Sequence, residues 1–454
     1  MKRSAWRYLW TAHDVRRKLL ITVLILAIYR LVSHVPVPGA NPTALKAILS
    51  GSSAAGGFVG ILDLLSGGTV SNFSVLAMGV YPYITAQIIL QLLVPIIPAL
   101  QRRMEEDPRE GQKWMEKWTY ILAVPMAALQ AIGQINIFNS LATQQSLPPI
   151  ISNFSFAPAY LLPTLTILLS MTAGTMFAIW LGELISEYGI RNQGLSLIIF
   201  SGIVSRIPNS ILSIWADQAH RWFGLIFMLV MTTLVIFAIV FVQQGRRNVP
   251  VMYPGRRVGS RMSMPVKGTL PLMVNMAGMI PLIFAQSLLT FPSIIASYFI
   301  QSQVALVKSI ATGVYSVFSS GSSAYWVLYF LFVVGFSFFY TDVLFAQQNY
   351  GENLKKVGAQ IPGVSRGAPT QRYLTKVLRR ITLPGALFLG LVAILPFLVS
   401  IILSALGLGL GSQSNVLLVT SAGLLIVVGV VRDTFFTIDA ELKLHGYDDT
   451  LLVH

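Results

Sequence analysis

Ten long apolar stretches dominate this 454-residue chain, near 19–38, 69–98, 119–138, 157–181, 195–212, 222–242, 269–291, 323–345, 383–404 and 415–438. A helix of roughly 20 such residues crosses about 30 Å of hydrocarbon, where an unpaired backbone N–H or C=O costs several kcal/mol. Each stretch is therefore expected to be a membrane helix. Composition agrees, with 54% of residues apolar and only 11% charged. Water-soluble domains carry about a quarter charged residues. The predicted fold class is an all-α integral membrane protein with ten transmembrane helices. The second stretch cannot be one straight helix, because Gly67, Gly68, Gly79, Pro82, Pro95 and Pro98 fall in or beside it. The first could pass for a signal peptide, but a charged head over 1–18 and the lack of a small-residue cleavage site predict that it stays attached.

Orientation follows from the basic residues in alternate connections. Segments 1–18, 99–118, 182–195, 243–268 and 346–382 hold 25 Lys and Arg, whereas 33–60, 139–156, 212–221, 292–324 and 405–415 hold 3. This asymmetry places both termini on the cytoplasmic side. It also accounts for most of the formal net charge of +15.

Ten spans divide into two sets of five, and an odd number sets the halves upside down relative to each other. The expected organisation is a cytoplasmic segment 1–18, a first half 19–212, a second half 213–438 and a cytoplasmic tail 439–454. A trace of duplication supports it. Gly79–Leu90 reads GVYPYITAQIIL and Gly278–Leu289 reads GMIPLIFAQSLL, identical at six of twelve positions and in corresponding spans. Such paired segments, with their helix-distorting Gly and Pro, mark where a pathway between two halves is expected.

What the spans lack narrows the chemistry. Ion-coupled transporters place ionisable groups at mid-depth. Here Arg30 and Arg206 lie toward outer ends and Asp342, Arg432 and Asp433 toward cytoplasmic ends, where snorkelling explains them. An ion-coupled secondary transporter of a small solute, with the same inverted-repeat fold, is the competing reading and lacks its binding charge. The chain has no cysteine, and His13, His34, His220, His445 and His454 are scattered. No metal or other cofactor is expected, and no phosphate-binding loop, HExxH or nucleophile–base pair marks an enzyme. The residues read as a passive conduit.

Several motifs carry a family resemblance. Ser74–Gln91 (SVLAMGVYPYITAQIILQ) resembles the first signature of the SecY family, and Trp180–Ile190 (WLGELISEYGI) with Leu195–Val204 (LSLIIFSGIV) resembles the second. Val274–Pro281 (VNMAGMIP), Phe338–Thr341, Glu352–Lys356, Leu424–Val428 and Leu444–Tyr447 match in the same order along essentially the whole chain. Two departures stand out. Gly189-Ile190-Arg191-Asn192-Gln193-Gly194 replaces the family's Gly-Ile-Gly-Asn-Gly, and Ser365 follows Pro362-Gly363-Val364 where the family has an Arg, which here comes as Arg366.

The resemblance implies a protein-conducting channel of the bacterial inner (plasma) membrane, hourglass-shaped, with a re-entrant plug. It passes unfolded secretory polypeptides across and releases membrane segments sideways into lipid. A pore ring would comprise Val80, Ile84, Ile199, Ile203, Ile283 and Ile426. From periodicity alone these face lipid or core; a ring of branched aliphatics would deform around a passing chain and exclude ions by dewetting. Val80/Ile84 and Ile199/Ile203 are i,i+4 pairs, so each shares one helix face. The plug, about 58–74, would include Ile61, Leu62, Asp63, Leu64, Leu65, Ser66, Gly67 and Gly68, a short apolar segment between paired glycines that is equally compatible with an ordinary interfacial helix.

A lateral gate for signal peptides would involve Thr85, Gln91, Gln130, Asn275 and Phe291; these polar types also serve as static glue between helices. The long basic loops 243–268 and 346–382 exceed what neighbouring helices need. Positive-inside orientation explains most of their charge. By resemblance, Arg246, Arg247, Arg256, Arg257, Lys355, Lys356, Arg366 and Arg372 contact the ribosome and the SecA motor ATPase, which hydrolyses ATP in this chain's stead. SecE and SecG are the small partner subunits the family implies, alongside nascent polypeptides and membrane lipids.

Overall fold

A computed structural model describes residues 13–41, 43–45, 69–70, 73–144, 147–151, 154–155, 157–158, 160–216, 221–254, 257–258, 261–262, 266–300, 304–318, 322–405 and 413–444. It is predominantly helical. In chain order come α1 (His13–Val32), α2 (Tyr81–Ile96), α3 (Pro98–Glu106), α4 (Pro108–Gln144), α5 (Leu161–Tyr188), α6 (Gly194–Ala216) and α7 (Arg221–Gln244). Strands β1 (Arg246–Tyr253), β2 (Arg257–Val258), β3 (Arg261–Met262) and β4 (Val266–Met273) follow. The chain then forms α8 (Ile280–Phe299), α9 (Ala305–Phe318), α10 (Ser323–Gln347), α11 (Tyr350–Lys356), α12 (Ala368–Ala405) and α13 (Gln413–Leu444).

Each of the ten apolar stretches overlaps a helix. Among the described residues, five helices are long and apolar enough to cross a membrane, within Arg109–Asn139, Leu161–Tyr188, Trp222–Gln244, Ser323–Lys356 and Ala368–Ile402. Tyr81–Val94 and Pro98–Met104 make a sixth if the pair, bent by 95°, is one broken span. In the Trp222–Gln244 segment only 11% is buried within the protein. Since that helix is apolar all round, lipid is the solvent its surface suits.

Three boundaries differ from the sequence expectation. The second stretch becomes helical only at Tyr81, and Thr69–Val80, where described, is turn-like. The seventh, expected over 269–291, begins as strand β4 and turns helical only at Ile280. Here Val249 and Val251 alternate inward along β1, and the pairing runs from Arg246↔Met273 to Tyr253↔Val266. Alternation thus overrides the continuous apolar reading of 269–273. The connection expected over 292–324 holds the end of α8 and a further helix, α9, whose Val307, Ile310, Ala311 and Val314 recur at helical spacing.

The described chain divides into two compact units, Met1–Val230 with Ser287–Tyr325 and Pro396–His454, and Met231–Gln286 with Trp326–Leu395. In the first, α4 packs on α2 and α5, α1 on α5 and α6, and α13 on α6. Its core joins Phe73, Ile135, Phe138, Ile150 and Met171, with the Phe73 and Phe138 rings edge-to-face at 5.5 Å. Lys18 pairs with Glu441 at 2.6 Å beside Val15, Ile438 and Leu442, fastening the start of α1 to the end of α13. In the second unit the β1–β4 hairpin packs on the segment after α11. Met252 and Gln360 exchange two backbone hydrogen bonds of 2.8 and 2.9 Å, and Val249, Val251, Leu272, Phe345, Leu354, Ile361, Leu374 and Leu378 form one core.

Close backbone approach fixes the join between α5 and α6. The turn at 189–193 carries Asn192 at φ +57°, and the Ser186 hydroxyl accepts from the Gly194 N–H at 3.1 Å. Gly194 lies against the Gly182 carbonyl, where a Cβ has no room. Gly194→Ala is expected to lower the melting temperature of the detergent-solubilised protein by roughly 2–6 °C, the scale of a 1–2 kcal/mol overpacking cost. Gly313→Ala, which meets open space on α9, should not lower it. Helical circular dichroism on heating reads both.

Candidate functional site

The duplicated motif is a duplicated helix start. Gly79 and Gly278 both have positive φ, +52° and +63°, which glycine adopts without penalty. Two residues on, Tyr81 and Ile280 open α2 and α8, and Pro82 and Pro281 occupy the second helical position. A proline there removes an N–H that the first turn could not use. The two prolines therefore begin helices, whereas the sequence reading had them distorting helices already under way. Ile84 and Ile283 consequently stand at the same place, three residues into their helices.

The expected ring residues are all buried except Ile84, which is half-buried. Val80 is the N-cap residue of α2, Ile199 and Ile203 lie one turn apart on α6, and Ile426 lies on α13, which packs against α6. These four and Ile84 divide from Ile283 at the unit boundary, Ile283 alone belonging to the second unit. Of the plug, Ile61–Gly68 lies outside the described residues. The chain just after it is firmly held. The Thr69 hydroxyl donates to the Leu76 carbonyl at 2.6 Å, Val37 N–H to the Phe73 carbonyl at 3.0 Å, and Val75 N–H to the Val35 carbonyl at 2.9 Å.

Two of the expected gate residues meet directly. Gln130 on α4 donates through Nε2 to Thr85 Oγ1 on α2 at 3.1 Å, and the Thr85 hydroxyl donates to the Tyr81 carbonyl at 2.9 Å. The Tyr81 hydroxyl in turn donates to the Ser287 carbonyl of α8 at 3.3 Å. One turn beyond Gln130, Gln134 shares its face and lines a cavity of about 20 Å³ with Met78, Tyr81 and Ile294. The Oε1 atoms of Gln91, Gln130 and Gln134 are buried without a partner among the described residues. Gly133 presses so closely on Ile294 that no Cβ fits between α4 and α8.

The sequence reading missed Tyr81, Gly133, Gln134 and Ser287; the i,i+4 spacing of Gln130 and Gln134 was the available signal. Phe291 is half-buried on α8. Asn275, expected within the seventh span, lies in the turn before α8, and its amide donates to the Gly278 carbonyl at 3.1 Å. It braces the helix start. The reason is local: an Asn three residues before a left-handed glycine has a turn carbonyl within reach.

Comparison with known proteins decides the family. The SecY family model matches residues 74–435. A protein translocase subunit SecY from Aquifex aeolicus is 37% identical over 437 residues, covering 96% of both chains. The chain belongs to the SecY family. The SecY-family relative from Chlamydia trachomatis is 36% identical, over 98% of this chain and 97% of its own, and that from Streptomyces scabiei 34%, over 96% and 97%. Both are likewise named protein translocase subunit SecY. The fold matches a solved structure described as a protein conducting channel with a TM-score of 0.61 at 16% identity, over 96% of this chain and 95% of the other. A second, concerning the plug domain of the SecY protein, matches with the same TM-score at 17% identity and the same coverage.

The two departures from the SecY pattern can now be located. Arg191 sits, exposed, in the ordered turn that Asn192 shapes. Arg366 is exposed and donates through Nε to Gln360 Oε1 at 3.2 Å, in a loop whose Gly363 and Gly367 have positive φ. Arg246, Arg247, Lys355, Lys356 and Arg372 are also exposed in the same unit. Arg256 lies outside the described residues, as does the side chain of Arg257.

Hydrogen bonds between membrane helices average about 0.6 kcal/mol and reach about 1.7. A double-mutant cycle of Thr85→Val and Gln130→Leu, read by unfolding in detergent, should give a coupling energy in that range. A coupling of zero would deny the bond any part in holding α2 to α4.

Proposed function

We propose that this chain is the pore-forming subunit of a protein translocase, passing unfolded polypeptides across a membrane and releasing apolar segments sideways into lipid. The observation that carries the reading is the match over 96% of the chain to curated relatives named protein translocase subunits. As a channel subunit it is not an enzyme. The ion-coupled transporter reading has neither such relatives behind it nor an ionisable group near the middle of any span.

In this reading α1, α2, α4, α5, α6, α7, α8, α10, α12 and α13 are ten crossings of the bacterial inner membrane, with both termini cytoplasmic. Residues 19–212 and 213–438 are inverted halves, a division supported by the shared glycine-and-proline helix start and the basic asymmetry of the connections. Val80, Ile84, Ile199, Ile203, Ile283 and Ile426 close an apolar neck that dewets when empty. The plug of residues about 58–74 rests against it, its trailing end tethered through Phe73 and Val75.

The lateral gate centres on Thr85 and Gln130, with Gln91 further along α2 and Phe291 on α8. Its ease of opening has a physical basis: one good bond between side chains is offset by buried acceptors without partners among the described residues, each costing about 1–3 kcal/mol. Asn275 contributes by setting the start of α8. SecE and SecG pack beside the helices. SecA and the ribosome dock on the basic body made by the hairpin and the loop after α11. Ribosomal RNA is a polyanion, and salt-sensitive binding to Arg and Lys is the corresponding chemistry.

Because the chain has no cysteine, single cysteines report cleanly. A stalled secretory precursor should crosslink to Ile84→Cys and to Ile283→Cys, and not to Leu229→Cys, which is 68% exposed on α7. Absence of crosslinks at both isoleucines would sink the channel assignment. Reversing charge at Arg256 and Arg257 should weaken ribosome and SecA binding in a detergent pull-down while leaving the protein assembled; undiminished binding of both would remove those two residues from the docking surface.

A further inference from the structure

The first turns of α12 carry a row of cations that runs straight into a lipid-suited apolar stripe. Arg372, Lys376, Arg379 and Arg380 are exposed, and Leu383, Leu387 and Leu391 continue the row at 52%, 41% and 51% exposure. At 100° per residue all seven fall within a sector of about 120° on one helix face. Arg372, Thr375, Lys376, Arg379, Arg380 and Leu383 line a single concavity of about 600 Å³. Asp342 of α10 grips one of these cations. Arg379 donates through Nε to both carboxylate oxygens at 3.2 Å and through Nη2 to Oδ2 at 2.9 Å. That pair is neutral, so Lys376 and Arg380 supply the net charge.

Depth separates this row into two parts. With a rise of 1.5 Å per residue, Arg380 lies roughly 4–5 Å below Leu383, Lys376 about 10 Å and Arg372 about 16 Å. The polar headgroup layer is only about 5–7 Å thick on each side of the hydrocarbon. Arg379 and Arg380 therefore sit inside that layer, and the long stem of Lys376 reaches into it from its aqueous edge. Arg372 stands beyond it, in water. Cations at headgroup depth, continuous with a leucine stripe, match both ends of one molecule, an acidic headgroup and its acyl chain.

We propose that Lys376 and Arg380, beside an Arg379 braced by Asp342, hold the phosphate of an anionic phospholipid whose chain lies along Leu383 and Leu387. Arg372 and Arg366 are left to partners in the aqueous phase. The proposal rests on the reading of α12 as a membrane crossing with its N-terminal end at the cytoplasmic face. Each cation near an anionic lipid surface is worth about 1 kcal/mol, so the pair should favour an anionic over a zwitterionic lipid about thirtyfold.

The test labels Leu387→Cys with bimane in the full chain, reconstituted in phosphatidylcholine vesicles that contain a small fraction of lipid doxyl-labelled near the top of its acyl chain. Doxyl-phosphatidylglycerol should quench at about a thirtieth of the concentration that doxyl-phosphatidylcholine requires. The preference should vanish in Lys376→Gln/Arg380→Gln and persist in Arg372→Gln. Equal quenching by the two lipids, or a preference that survives the double substitution, overturns the proposal. No quenching by either lipid would instead overturn the placement of α12 in the bilayer. In vesicles of phosphatidylcholine alone, Lys376→Gln/Arg380→Gln should leave ribosome and SecA binding unchanged. A loss as large as that of Arg366→Gln/Arg372→Gln would assign these cations to a polyanionic partner and overturn the lipid site.

Discussion

Hydrocarbon offers a peptide group no hydrogen-bond partner, and that single constraint governs where this chain is regular and where it is not. The long apolar segments satisfy their own backbones as helices. Departures from helix carry local compensation. Gly79 and Gly278 enter the left-handed region so that α2 and α8 can begin abruptly, and the prolines that follow spend no usable N–H. Phe73 adopts φ +42° in a turn whose carbonyl accepts from Val37. Ile97 breaks α2 from α3 in an extended conformation while its own N–H still reaches the Leu93 carbonyl.

Against that background the contact of α2, α4 and α8 is built unlike the rest of its unit. Around Phe73 and Phe138 the buried cluster is built from apolar side chains. At Thr85, Gln130 and Gln134 it is polar and incompletely satisfied. The hydrogen bonds there are each worth about a kilocalorie and the orphaned acceptors offset them. Meanwhile the Gly133–Ile294 approach keeps the helices in register through van der Waals contact. A seam of this composition is held together by a small margin of free energy.

The sequence made the membrane class legible because twenty-residue apolar runs have few other uses, and Gly79–Leu90 matched Gly278–Leu289 at six of twelve positions, which pointed to the two helix starts. It concealed what depends on pairing at a distance. Residues 269–273 belong to the same apolar run as α8, yet they pair with Arg246–Pro250, 19 to 27 residues away, a partner no local window contains. Asn275 was legible as a polar residue within the seventh apolar stretch, but its place in the turn before α8 depended on the sign of φ at Gly278. Thr85 and Gln130 were visible singly; their meeting depended on α4 packing on α2. Tyr81 and Gln134 hid among residues whose ordinary place is a membrane helix.

The body formed by the β1–β4 hairpin, α11 and the following loop has a consequence for any partner that docks there. Val251, Leu272, Leu354, Ile361 and Leu374 share one core, and the Met252–Gln360 bridge stitches the two connections together. Two independent loops would each lose conformational freedom on capture, at about 0.5–1.5 kcal/mol for every long side chain immobilised. Here much of that ordering is complete before an encounter. Recognition should consequently depend mainly on charge and shape and little on folding. A partner's thrust on the hairpin would also travel through a continuous apolar solid to α12, without being absorbed by slack chain.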